Sequence, residues 1–135
     1  MNRWSYNQGV ILGGLVELNR AAPNDTYLES ANKIAQAAIM TLSDDNLVIH
    51  DICEPNCAPD ATQFKGIFVR NLHMLQQDSP NDLYKKVIEA CANSIWENDR
   101  DYLNQLGVNW AGPVASVDAS THSSALDALV AAVAI

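Results

Sequence analysis

Two short segments of the sequence combine side chains that suit the recognition of sugar hydroxyls. Tyr6-Asn7-Gln8-Gly9 supplies a phenol and two amides, and each amide both donates and accepts hydrogen bonds. Phe64-Lys65-Gly66-Ile67-Phe68 supplies two aromatic rings and an amine. Each segment opens an apolar helical pattern, so its polar groups would lie at a helix end and could face a cleft. Chemistry alone also allows a simpler interpretation, in which Asn7 caps a helix and Lys65 is a solvated charge.

Acidic and indole side chains add further candidates for the same chemistry. Glu54 and Asp60 lie on either side of Cys57 in a loop, where carboxylates are usually solvated or cap the next helix. Trp110 lies in a long loop, where an exposed indole could stack on a sugar and a buried one would be part of the core. Trp96 lies in an apolar helical pattern, and we expect it to pack within the fold.

The sequence contains one adjacent pair of aspartates, Asp44-Asp45. Two carboxyl groups about 5 Å apart are what retaining glycoside hydrolysis requires. This pair stands between Ser43 and Asn46 at the end of a helical pattern, which predicts a turn rather than a catalytic position. The three histidines have no mutual spacing that predicts a metal site. We therefore expect no metal and no cofactor.

Composition predicts one domain over residues 1–135. Hydrophobic residues make up 48% of the chain, and the formal net charge is −8. Without a basic stripe, nucleic-acid binding is not expected. No run of eighteen apolar residues predicts a membrane span, and the N-terminus shows no secretion signal. Cys53 and Cys57 could close a small disulfide loop in an oxidising compartment.

Helical periodicity dominates the chain and predicts an all-α fold. Leu47 to Ile52 is predicted to be extended, and residues 98–119 are predicted to be a long loop. Five helices are expected, the first from about Tyr6 to Arg20 and the others beginning near Thr26, Asp60, Ser79 and Ser123. The predicted apolar stripe of the first helix is Val10, Ile11, Gly14, Leu15 and Leu18, and that of the last helix is Leu126, Leu129, Val130 and Val133.

Four segments, in order along the chain, resemble glycoside hydrolase family 76. They are Tyr6-Asn7-Gln8-Gly9, the stretch from Cys53 and Glu54 to Cys57, Phe64-Lys65-Gly66-Ile67-Phe68, and Trp110-Ala111-Gly112-Pro113. The resemblance covers the second half of the family's domain. It implies an (α/α)₆ barrel, here a partial barrel of about five helices with one short extended segment.

The resemblance implies retaining hydrolysis of α-1,6-mannan as the activity of a complete relative. In this chain Tyr6, Asn7, Gln8, Lys65 and Trp110, with Glu54 and Asp60 beside them, would hold the sugar. The family's catalytic aspartate pair lies upstream of the first motif, so no catalytic residue is assigned here and the chain alone is expected to be inactive.

The partners implied by the resemblance are a mannan polysaccharide and either the missing N-terminal half or a second copy. The implied location is extracellular or at the cell wall. Two other classes of function remain open from the sequence: a mannan-binding module without catalysis, and a helical structural or assembly module.

Overall fold

The computed structural model describes residues 2–135, and its regular elements are helices. They are α1 (Ser5–Ala21), α2 (Asp25–Leu42), α3 (Phe64–Asp78), α4 (Asp82–Asn98) and α5 (Ala119–Ala134), and a 3₁₀ turn (Ala61–Gln63) leads into α3. The all-α prediction is confirmed. In place of the predicted extended segment, the described residues contain an isolated bridge between Ser43 and Ile49. None of the helices found in residues 2–135 is long and apolar enough to cross a membrane.

The five helices form two layers. Helices α1, α3 and α5 lie side by side, α2 packs on α1, and α4 packs on α3 and α5. Glycines allow the close approach in the first layer. A Cβ at Gly9 would lie 2.6 Å from the Cα of Phe68, and one at Gly66 would lie 2.6 Å from the carbonyl oxygen of Ser124. Backbone therefore meets backbone at both helix pairs.

Helix α2 begins one residue before the predicted Thr26 and α4 begins three residues after the predicted Ser79, because asparagine provides the cap in both. The side chain of Asn24 accepts a hydrogen bond from the Thr26 N–H, so α2 begins before Thr26. Asn81 does the same for Leu83 at the start of α4. Ser79, the predicted cap of that helix, instead ends α3. Asparagine is among the best N-cap residues, and its amide satisfies a free backbone donor.

The start of α5 was also predicted too late. The helix begins at Ala119 rather than near Ser123, because Asp118 and Thr121 form a reciprocal capping box. The Asp118 carboxylate accepts from the Thr121 N–H at 2.9 Å, and the Asp118 N–H donates to the Thr121 hydroxyl at 3.0 Å. The hydroxyl takes the place that a glutamate or glutamine usually has in such a box.

For α1 and α5, the face predicted to be buried is not the face that the structure buries. The side chains of Val10, Ile11 and Leu18 are exposed, as are those of Leu126, Val130 and Val133. Small residues fill most of the buried positions instead, and in α1 they are joined by Leu12 and Val16. The buried residues are Ser5, Gly9, Leu12, Gly13 and Val16 in α1, and Thr121, Ser124, Ala125, Ala128 and Ala131 in α5. Close helix approach requires small side chains at the contact, so the largest apolar residues lie on other faces.

Periodicity predicts that α3 buries a face with Phe68, Leu72 and Leu75 and that α4 buries one with Val87, Cys91 and Ile95, and the structure confirms both. Phe68, Leu72 and Leu75 of α3 are fully buried, as are Val87, Cys91 and Ile95 of α4. These residues belong to one continuous core. That core supports the helix ends at which the candidate site is found.

Candidate functional site at the helix mouth

The starts of α1, α3 and α5 meet two long loops at one end of the molecule. The Asp51 carboxylate accepts from the backbone N–H and the hydroxyl of Ser5, at 2.8 and 2.6 Å. The Lys65 amine donates to the Val108 carbonyl at 2.7 Å. These bonds tie loop 43–60 to α1 and loop 99–118 to α3. We call this end, where three helices start, the mouth.

Three aromatic rings form a cluster at the mouth. Phe64, the first residue of α3, lies between Tyr6 and Trp4, with ring centres 4.1 and 5.5 Å away. All three rings are partly exposed, and Asn7, the residue after Tyr6, is exposed. Sequence analysis selected Tyr6 and Asn7 for sugar contact, missed Trp4, and noted the Phe64 ring without assigning it to the sugar-binding residues. The signal that could have found Trp4 is its place two residues before Tyr6, just outside the helix.

Gln8 faces a different part of the surface. It lines a groove of about 360 Å³ between the start of α1 and one face of α2. Arg3 and Lys33 line the same groove, together with apolar side chains of α2 that include Ile34 and Leu42. The groove falls at the lower end of the volumes typical of small-molecule sites.

Lys65 and Trp110 are buried together under the mouth. The Lys65 side chain is 2% exposed and pairs with the Glu54 carboxylate, and its amine lies 4.4 Å from the centre of the Trp110 ring. Trp110 is 0% exposed. Neither side chain presents a surface to a ligand, and additional polypeptide would only bury them further. This burial argues against the direct sugar contacts expected of both residues and favours a supporting role.

Glu54 joins that buried pair to a histidine. Its second oxygen lies 2.7 Å from Nδ1 of His50, and Nε2 of His50 lies 2.8 Å from an Asp44 oxygen. The hydrogen bond with Glu54 is the main cause that raises the pKa of His50 above its ordinary value. Burial alone would raise the pKa of Glu54, but His50 and Lys65 hold it below its ordinary value. Glu54 is therefore a charged link within the fold.

The loop that carries Glu54 is closed by a disulfide bond between Cys53 and Cys57. Asp60, which follows this loop, is exposed and makes no side-chain capping bond. Of the two carboxylates that flank Cys57, Glu54 is engaged in the fold, and Asp60 remains free to meet solvent or a ligand.

Asp44 and Asp45 lie in the turn that the sequence predicted. The Asp44 carboxylate accepts from the N–H groups of Asn46 and Val48, at 2.8 and 3.1 Å, and also contacts His50. Asp45 is exposed at the turn. The structure thus engages Asp44 in holding the loop.

Asp99 is a buried carboxylate that sequence analysis did not select. It is 0% exposed, and neither carboxylate oxygen has a hydrogen-bond partner within residues 2–135. Burial raises its pKa to about 7, against the opposing effect of Lys65. Gly107 packs on it so closely that a Cβ there would lie 2.4 Å from one carboxylate oxygen.

Comparison with known families and proteins gives consistent matches. The model of glycosyl hydrolase family 76 matches residues 1–134. Two similar proteins are the mannan endo-1,6-alpha-mannosidases DFG5 of Candida albicans and Saccharomyces cerevisiae. Each is 31% identical, over 81% and 79% of this chain and 26% and 25% of the yeast protein respectively. The chain therefore spans about a quarter of the length of these relatives.

Solved structures match in fold as well as in sequence. The Lin0763 protein from Listeria innocua superposes with a TM-score of 0.86 at 29% identity, covering 97% of this chain and 37% of that protein. The GH76A alpha-1,6-mannanase from Salegentibacter sp. HEL1_6 superposes with a TM-score of 0.82 at 25% identity, covering 97% and 40%.

An inactive variant of the Salegentibacter enzyme, with two aspartates replaced by alanine, is known in complex with alpha-1,6-mannotetrose. It matches 96% of this chain with a TM-score of 0.80 at 26% identity, and the match covers 39% of that protein. The five helices are thus part of the (α/α)₆ fold of these relatives. The chain belongs to glycosyl hydrolase family 76.

Proposed function

We propose that the chain is the sugar-binding part of an α-1,6-mannan hydrolase and that it binds mannan at the mouth. The observation that carries this proposal is the cluster of Trp4, Tyr6 and Phe64, with exposed Asn7 beside it, at the end where three helices start. Aromatic faces stack on the C–H faces of sugar rings, and an amide binds their hydroxyls. Asp60, just before the 3₁₀ turn that leads into α3, and Gln8, in the groove between α1 and α2, remain proposed secondary contacts.

We also propose that the nucleophile and the acid of the reaction come from polypeptide outside these 135 residues. Retaining hydrolysis needs two carboxyl groups on either side of one bond. In residues 2–135, Glu54 is engaged by Lys65 and His50, and Asp44 by its own turn. The relative in complex with mannotetrose is inactive when two aspartates are replaced, which agrees with a carboxylate pair as the reactive group in the family.

Binding without cleavage is therefore the activity expected of this chain by itself. The disulfide bond between Cys53 and Cys57 supports a location outside the cytosol, since such bonds persist in oxidising compartments. We propose the cell exterior or wall as the place of action.

Calorimetric titration with α-1,6-mannotriose tests the mouth. Tyr6→Ala is expected to lower the affinity about fivefold, since one aromatic contact contributes about 1 kcal/mol. Tyr27→Ala, which removes a partly exposed tyrosine at the start of α2, is the matched control and should change nothing. Equal affinities of the wild-type and Tyr6→Ala chains would refute binding at the mouth.

The absence of catalysis is tested separately on polymeric α-1,6-mannan. We expect the purified chain to release no reducing ends, whether or not Asp44 and Asp45 are replaced by alanine. Reducing ends released by the wild-type chain and lost in the double variant would place catalysis on this turn after all.

A further inference from the structure

The segment between α4 and α5 begins with a small fixed hairpin, residues 99–107. The Gly107 N–H donates to the Asp99 carbonyl at 3.0 Å, and the Asp101 N–H donates to the Gln105 carbonyl at 2.9 Å. The Asp101 carboxylate accepts from the N–H groups of Leu103 and Gln105, at 2.9 and 2.7 Å. Backbone and side-chain bonds therefore hold the tip of the hairpin in one conformation.

This fixed tip presents large apolar side chains to solvent. Tyr102 is 91% exposed and Leu103 is 58% exposed, and Trp96, in the last turns of α4, is 46% exposed. Sequence analysis expected Trp96 to pack within the fold and allowed Trp110 to be either exposed or buried, whereas in the structure Trp96 is exposed and Trp110 is buried. Trp96 is thus the tryptophan with ring surface available to a ligand in this part of the molecule.

Arg100 connects the hairpin to Trp96. Its guanidinium carbon lies 3.9 Å from the centre of the indole ring. Its Nε–H donates to the Trp96 carbonyl at 3.1 Å, and its Nη1 donates to the Asn104 side chain at 2.7 Å. These bonds use two of the five N–H donors of a guanidinium. The other donors remain available at the edge of the Trp96 ring. We call Trp96, Arg100, Tyr102 and Leu103 the hairpin patch.

The hairpin patch lies at the same end of the molecule as the mouth. The base of the hairpin contacts the start of α5, where the Leu106 carbonyl accepts from the Thr121 hydroxyl at 2.8 Å. Val108, just after the hairpin, accepts the bond from Lys65 at the start of α3. A polymer bound at the mouth and extending across this end could reach the patch.

We propose that the hairpin patch is a second glycan-binding surface, which holds a mannan chain at a distance from the mouth at Tyr6. The choice of mannan as the ligand rests on the proposed function. The chemistry rests on the patch itself, since flat rings stack on sugar rings and free guanidinium donors bind hydroxyls. Because the hairpin is fixed before binding, the ligand meets little ordering cost.

Tyrosine, tryptophan and arginine are also common at protein interfaces. A stable protein interface buries about 800 Å² on each partner, and a whole aromatic side chain buries roughly 150–250 Å². Three exposed side chains and one half-buried arginine fall short of that area unless neighbouring surface joins them. A glycan chain, which needs only a few contact points, fits the patch better.

Retention on polymeric α-1,6-mannan in affinity electrophoresis tests the patch. Replacing both Trp96 and Tyr102 by alanine is expected to weaken retention about fivefold or more and to leave calorimetric binding of α-1,6-mannotriose at the mouth within twofold of wild type. Val133→Ala, at an equally exposed apolar position of α5, is the control and should keep full retention. Tyr102→Ala alone, at the tip, is a second variant that still tests the patch if the Trp96 change disturbs folding.

Indole NMR signals provide a second measurement. The signal of Trp96 should shift when mannan oligosaccharide is added, including in the Tyr6→Ala chain, and that of buried Trp110 should not. Two results would overturn the patch and leave the mouth intact, provided that the trisaccharide still binds. One is a double variant that is retained like wild type, and the other is a Trp96 signal that does not shift when oligosaccharide is added. A wild-type dimer in light scattering that the double variant abolishes would mean that the patch binds protein, and would overturn it too. A patch effect with no effect of Tyr6→Ala would instead overturn the mouth.

Discussion

Asp99 is the residue whose environment departs most from what its type predicts. A carboxylate without a hydrogen-bond partner in the described chain is costly to ionise when it is buried. The unfolded chain releases this proton near pH 3.8, whereas the folded chain keeps it up to about pH 7. At this group the folded state therefore binds more protons between these values, so the contribution of Asp99 to the free energy of unfolding falls as pH rises from about 4 to 7.

Asp99→Asn is expected to raise the free energy of unfolding at pH 7.5 and to flatten its decrease between pH 4 and 7. The amide has no charge to desolvate, and the gain should be on the order of a few kcal/mol. Urea unfolding across this pH range measures both effects. Asp45→Asn, at an exposed carboxylate, should show neither, and equal pH profiles for wild type and Asp99→Asn would contradict the assignment.

Much of the site could not be predicted from residue types, because burial decided each role. Lys65 and Trp110 suited sugar contact by chemistry, but the long loop folds back and covers both. Tyr6 and Asn7 remain at the mouth because α1 begins there. No local pattern reveals that Glu54 meets Lys65, since that contact depends on how loop 43–60 packs against α3. The contact between Trp96 and Arg100 is local, because Arg100 follows Trp96 by four residues at the end of α4.

At the level of elements, periodicity predicted which segments are helices but not which face of each is buried. α3 and α4 followed the simple rule that the largest apolar residues face the core, except at Phe64 and Trp96, which are not buried. α1 and α5 departed from it, since glycine, serine and alanine occupy their contacts with α3. Hydrophobic periodicity weights large residues most, so it placed the buried face of both helices wrongly.

Leu12→Ala and Ile11→Ala compare the two faces of α1 directly. Leu12 is fully buried, so its truncation should cost about 2–5 kcal/mol of unfolding free energy. Ile11 is exposed, and its truncation should cost less than about 1 kcal/mol. Chemical denaturation of both variants checks this difference, and a larger loss for Ile11→Ala would restore the face predicted from the sequence.

At the scale of the whole molecule, the first layer ends in two exposed apolar edges. Val10, Ile11 and Leu18 form the edge on α1, and Leu126, Val130 and Val133 form the edge on α5. In the matched structures this chain accounts for 37–40% of the protein. We propose that additional helices or a second copy cover these edges, as the (α/α)₆ ring implies.

Replacing Val130 and Val133 by serine should reduce the binding of a hydrophobic dye to the isolated chain and leave its unfolding free energy within about 1 kcal/mol of wild type. Dye fluorescence and denaturation measured on one sample set check both outcomes. Lys86→Ser, on exposed surface of α4, should leave dye binding unchanged. A loss of several kcal/mol in the double variant would show that the α5 edge is already covered by the chain itself.

The chain of charges from Asp44 through His50 and Glu54 to Lys65 also limits how this enzyme family member can be altered. Removing one partner of a buried ion pair leaves an uncompensated charge and typically costs about 3–5 kcal/mol. Glu54 and Lys65 can thus change only together, in evolution or in the laboratory. The proposed sugar contacts Tyr6, Asn7 and Tyr102 are exposed or partly exposed, so a random library at these three positions should retain most of its folded members.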